Sequence, residues 1–200
     1  MVLIAAPPPA QRPRPQHLTL TQGSELYRIY DPARHGAGPL SFRHVGPLVR
    51  FDHHTQGAAE RAIYYAALSL EGCVVEVFGD VGVVRLGELR VANPLLEREL
   101  LLLDLRGRAA MRAGTVVAVS SADHALSQQW SRYFYDNPDS YGQIDGLIYV
   151  NAHNGADAIA LYERSQGAVT CPAERDWSLR DPVVETAIRA IAHDNNLLVE

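Results

Sequence analysis

A few widely separated side chains are the residues of this chain best suited to chemistry. They are Arg28 in LYRIY (26–30), Arg50 ahead of Phe51, Tyr64-Tyr65 in IYYAA, and Glu76 in VVEVF, eleven residues beyond Tyr65. Guanidinium forks grip phosphate or carboxylate bidentately, and a carboxylate nearby stabilises developing positive charge or accepts a proton. A plainer reading pairs Arg28 with Glu76 as a structural ion pair and packs the two tyrosines in a strand, one to each face. The eight histidines include His44, His53 and His54, but adjacent strand residues face opposite ways and neither HExxH nor CxxC occurs, so no metal site is expected. Ser120, Ser121, Asp123 and His124 carry hydrolase letters, yet a triad is assembled in space and no GxSxG elbow is present. Capping of the following helix accounts for them.

Composition narrows the chemistry. All 18 basic residues of the 200 are arginine, which excludes a Walker lysine, a pyridoxal Schiff base and a kinase strand lysine within this sequence. Any anion site must therefore use guanidinium groups. A net charge of -5 argues against a broad nucleic-acid or membrane-binding face. No apolar run approaches the roughly 20 residues of a membrane span, so a cytoplasmic protein is expected. Cys73 and Cys171 read as free thiols, with Cys73 in the core.

The elements that must position these side chains are strands mixed irregularly with helices. Residues 1–16, with Pro7 to Pro9, Pro13 and Pro15, read as a flexible arm. Leu18–Leu20 and Leu26–Tyr30 read as a first strand or hairpin, and 31–57 as a long irregular stretch suited to binding. IYYAA reads as a buried strand, and Ser69 is placed to cap a helix through Glu76 towards Gly79, although the valines there also suit a strand. Val83–Val91, Leu100–Leu105 and Val116–Val119 have strand character, with a helix as the alternative over Leu95–Leu103, and 123–135 has helical spacing up to Asn137-Pro138. Strands follow at 146–150 and 158–162, then a helix capped by Asp181 with Pro182 in its first turn. This pattern indicates an α+β fold.

In this order and spacing the chain resembles the RES-domain toxins, from about Leu26 to Arg164. The resemblance is carried by LYRIY, Arg50-Phe51, IYYAA, VVEVF, and DGLIYVNAHN leading to ALYER. It implies one α+β domain whose curved or split mixed sheet is similar to that of ADP-ribosyltransferases and is flanked by helices. Residues 17–170 would form the NAD-binding catalytic domain and 171–200 a helical extension packed on it. It implies an NAD-cleaving enzyme, a phosphorylase or glycohydrolase with NAD as substrate and no further cofactor. It also implies an Xre-type antitoxin partner that covers the active site and supplies the DNA binding this acidic chain lacks. Glu76 and Arg28 are then the catalytic residues, and Tyr27, Arg50, Tyr65 and Asn151 contact the substrate. Glu76 would stabilise an oxocarbenium-like ribose and the arginines would hold the pyrophosphate. Asn151 departs from the family, which has serine there, and Val49 stands where glycine usually precedes the loop arginine. Two alternatives remain open, a protein ADP-ribosyltransferase and a nucleotide-binding module without turnover. Self-association through the apolar face of the 182–194 helix is also compatible with the sequence.

Overall fold

The longest strands are apolar on both faces and so must be covered on both. In the computed structural model, which describes residues 4–55, 57 and 59–200, strands β1 (His17–Leu20), β2 (Arg28–Tyr30) and β3 (Ile63–Ala67) come first, followed by helix α1 (Leu70–Phe78). Next are β4 (Val83–Val84), β5 (Arg90–Ala92), β6 (Leu95–Leu96), β7 (Leu100–Asp104), α2 (Gly107–Arg112), α3 (His124–Asp136) and α4 (Pro138–Tyr141). The order closes with β8 (Gly146–Val150), β9 (Asp157–Tyr162), β10 (Val169–Thr170), β11 (Asp176–Ser178), α5 (Pro182–Asp194) and β12 (Leu198–Val199). The first three residues of the expected arm, Gln56 of the 31–57 stretch, and Ala58 just beyond it lie outside the described residues.

The central sheet runs β1-β7-β8-β9-β3, with β7 and β8 parallel and the other pairs antiparallel. Alternation along β3 sends Ile63 and Tyr65 to a core with Trp130 and Phe134 of α3, and Tyr64 and Ala66 to a core with Leu26, Leu96 and Leu161. Each fully buried aliphatic or aromatic side chain here stabilises the fold by about 1.5–3 kcal/mol. A smaller sheet, β11-β5-β2, packs with α1 and α5 around Val74, Leu179 and Ile188. The strands thus fall into a mixed five-stranded sheet and smaller separate ones, with helices packed against them, an α+β fold.

Several local expectations differ from the structure. β1 and β2 do not form a hairpin, because β1 pairs with β7 and β2 with β5. The 83–91 segment divides into β4 and β5, since β4 pairs with the C-terminal strand β12 instead. Val117–Ser120 is a 3-10 turn that tucks Val119 into the core. The Pro-rich arm is docked: the Trp130 indole donates to the Ala5 carbonyl (2.9 Å), and Arg14 and Arg112 exchange bonds of 2.7 and 3.1 Å. Residues 171–200 supply β11 and β12 to two sheets besides α5. Cys73 is buried, and burial pushes its thiol up to about 12.

Candidate active site

The helix that carries Glu76 starts where Ser69 accepts a hydrogen bond from the Gly72 N–H (3.0 Å) and ends at Gly79. It lies beside the place where the two sheets part. There Tyr27 and Ala67 exchange both backbone hydrogen bonds at 2.9 Å, after which β2 leaves the central sheet to pair with β5. The fork opens a cavity of about 380 Å³, within the range of small-molecule sites. Its walls are Tyr27, Arg28 and Ile29, Tyr65 to Ala67, Cys73, Glu76, Val77 and Asp80, the loop residues Val49 and Arg50, Ser120 and His124, and Tyr149, Ala152, His153 and Ala158.

The structure thus brings Arg28, Arg50, Glu76, Tyr27 and Tyr65 to one cavity. The Arg28 guanidinium lies 4.3 Å from the Tyr64 ring centroid, a cation-π contact that orients it. Among the described residues neither Arg28 nor Arg50 forms an ion pair, so the structural Arg28–Glu76 bridge is not made; the carboxylates are taken by other arginines, such as Arg43 with Asp52 and Arg106 with Asp104. Arg50 is anchored through a hydrogen bond to the Ala122 carbonyl. Glu76 is exposed as a residue, yet the protein around its carboxyl raises its pKa by desolvation; His153 and Arg50 pull it back, and Asp80 adds to the rise.

The tyrosines divide their work. Tyr64 is buried with its hydroxyl on the Pro39 carbonyl (2.8 Å), so it supports Arg28 from beneath. The Tyr65 hydroxyl donates to Asp52 (2.8 Å) and accepts from the Phe51 N–H (3.1 Å), which fixes the Arg50 loop against β3. Tyr27 turns its hydroxyl to Glu25 (3.3 Å) and so does not hold Arg28. Asn151 does not line the cavity: its amide oxygen accepts the N–H groups of His153, Asn154 and Gly155 within the turn after β8. Its side chain thus serves the backbone of the turn, a role the sequence did not suggest.

Sequence reading missed several contributors. Asp52 is fully buried and accepts from Arg43 (2.6 Å), the Leu48 N–H (2.5 Å), the Val49 N–H (2.9 Å) and Tyr65. Burial alone would raise its pKa, but the Arg43 and backbone hydrogen bonds outweigh that and hold it below the usual range. Asp80, in the turn just after α1, lines the cavity together with Glu76. Ser120 and His124 also reach the cavity, while the helix cap is Asp123, which accepts from the Ala125 N–H (2.9 Å). His53 and His54 are buried outside it: His53 bonds Glu163 (2.7 Å) and His54 the Arg43 carbonyl (3.1 Å). Among the described residues no cluster of three or more His, Cys, Asp or Glu is placed to hold a metal ion, and no helix is long and apolar enough to cross a membrane.

The RES domain family matches residues 25–181, and the chain belongs to it. It is similar to a protein described as the probable toxin y4kH of Sinorhizobium fredii (strain NBRC 101917 / NGR234), 36% identical over 87 residues. That alignment spans 42% of this chain and 65% of the relative's length. The fold is similar to a chain of the M. tuberculosis MbcT-MbcA toxin-antitoxin complex, with a TM-score of 0.50 and 16% identity over 86% of this chain and 92% of the other.

Proposed function

We propose that this protein is the toxin of a toxin-antitoxin pair and that it consumes NAD, cleaving the nicotinamide–ribose bond and passing ADP-ribose to phosphate or water. The observation that carries this reading is the convergence of Arg28 and Arg50, which form no ion pair among the described residues, with Glu76 in one cavity of a RES-family chain. The toxin names of the relative and of the structural neighbour support it.

The chemistry follows from charge. As the C1′–N bond breaks, its electron pair returns to the pyridinium ring, which leaves neutral, and positive charge spreads over C1′ and the ring oxygen of the ribose. An ionised Glu76 stabilises that charge, most strongly where water is thinned by the cavity walls. Arg28, oriented on Tyr64, and Arg50, tied to Ala122, fork the diphosphate oxygens. An oxygen of phosphate or water then bonds to C1′ and gives up its proton to solvent. Val49 and Val77, exposed at 40% and 42% on the cavity rim, offer apolar surface for an antitoxin that would close the site.

The test is product identification from labelled NAD. ADP-ribose 1″-phosphate in phosphate buffer, and free ADP-ribose without it, are the products expected. Label fixed covalently to a protein would contradict the small acceptor and favour a protein ADP-ribosyltransferase.

A further inference from the structure

The turn after β8 spends an unusual amount of polar chemistry on a single point. The side chain of Asn151 is buried at 4% exposure, and its amide oxygen collects three successive N–H groups, from His153 (3.1 Å), Asn154 (3.0 Å) and Gly155 (3.2 Å). Its Nδ2 donates to Asn154 Oδ1 (2.9 Å), and its own N–H bonds the Ala156 carbonyl (2.9 Å). Gly155, at φ +75°, permits the reversal. A serine hydroxyl is shorter by one carbon and would not reach all three donors as an amide oxygen does.

That turn brings Ala152 and His153 to the cavity wall, and His153 is the polar side chain of the two. Its ring lies so close over the end of α1 that a Cβ on Gly79 would sit 2.7 Å from the ring carbon Cγ, so a glycine is needed there to admit it. Nε2 is 3.7 Å from Asp80 Oδ1, beyond hydrogen-bond length, and among the described residues neither ring nitrogen has a hydrogen-bond partner. The imidazole therefore stands at the cavity beside Glu76 and Asp80 with hydrogen-bonding capacity to spare.

We propose that Asn151 is a positioning residue that fixes the 151–155 turn so that His153 hydrogen-bonds the bound nucleotide beside Glu76. The proposal rests on the NAD reading for the identity of the nucleotide. The ribose diol is the group this arrangement suits: a carboxylate accepts from one hydroxyl, and an imidazole nitrogen, able to donate or accept, takes the other. Asn151 acts only through His153, which distinguishes it from a residue that merely stabilises the fold.

A double-mutant cycle tests this on the full chain. His153→Ala is expected to raise KM for NAD about tenfold, the worth of one lost hydrogen bond in a closed site, and Asn151→Ala to do nearly the same. Asn151→Ala/His153→Ala is expected to be no worse than His153→Ala alone, within about twofold. Multiplied effects, or a silent His153→Ala in an enzyme that depends on Glu76, would overturn the proposal while leaving the NAD reading intact. ADP-ribose, titrated against the His153 ring resonances, gives a readout independent of turnover. A shift in the wild type that is lost in Asn151→Ala supports the positioning role even if no nicotinamide is released, and resonances that ADP-ribose leaves unmoved refute it.

Discussion

Replacing Asp52 by asparagine should loosen the loop that carries Arg50, and the structure sets the size of the effect. Four donors converge on the buried carboxylate: the Arg43 guanidinium, the N–H groups of Leu48 and Val49, and the Tyr65 hydroxyl. A carboxylate accepts all four, whereas an amide oxygen has two lone pairs and its NH₂ faces the remaining donors. Two donors are left without partners in a dry site at about 1–3 kcal/mol each, and Arg43 loses its counter-charge. The loss should therefore be about 3–5 kcal/mol, which in a chain of this size lowers Tm by roughly 10 °C. Urea and thermal unfolding measure it, and the KM for NAD should rise because Arg50 is no longer held. A loss below about 1 kcal/mol with unchanged KM would refute the view that Asp52 organises the site.

Arg28→Lys should raise the KM for NAD although charge is kept, since a point ammonium lacks the fork and sits less well on the Tyr64 ring; an unchanged KM and rate would make Arg28 structural. Glu163 tests the acid side. Burial alone would raise its pKa, but hydrogen bonds from His53 and Tyr135 outweigh that and pull it down to about 2. Its stabilising contribution is complete above the ordinary carboxylate value of 4.5 and is lost as pH falls towards 2. Desolvation holds buried His53 below its usual 6.5, so the unfolded chain takes up that proton first and stability begins to fall once pH drops below that value. Glu163→Gln should therefore lower the urea midpoint at pH 7 and differ progressively less from wild type towards pH 3; a difference constant with pH would contradict an ionised Glu163.

Much of the fold was legible because its signals are local. The Asp181 cap, Pro182 and the apolar IYYAA run point to α5 and β3, and the Ser69 cap decides for a helix at α1 over the strand its valines also suit, since capping acts within a few residues. Pairing is not local. Nothing in Leu18–Tyr30 states that β1 joins β7 while β2 crosses to β5, nor that the final residues return as β12 beside β4. The site divided in the same way. Arg28, Arg50, Glu76 and the tyrosines carried recognisable types in a recognisable order, but the tasks of Asp52 and Asn151 are to bind backbone N–H groups, and composition does not reveal which aspartate or asparagine a turn will enclose.

The central claim is tested most directly by measuring nicotinamide release from NAD by wild-type protein and by Glu76→Gln, with and without inorganic phosphate. Glutamine keeps the size of the side chain and removes the charge facing the ribose. It also removes a carboxylate that desolvation disfavours, so folding should not suffer. The account predicts release by the wild type, a fall of about 100-fold or more in the variant, and an unlowered Tm. Release at an equal rate by both proteins, or none from a folded wild type, would contradict it.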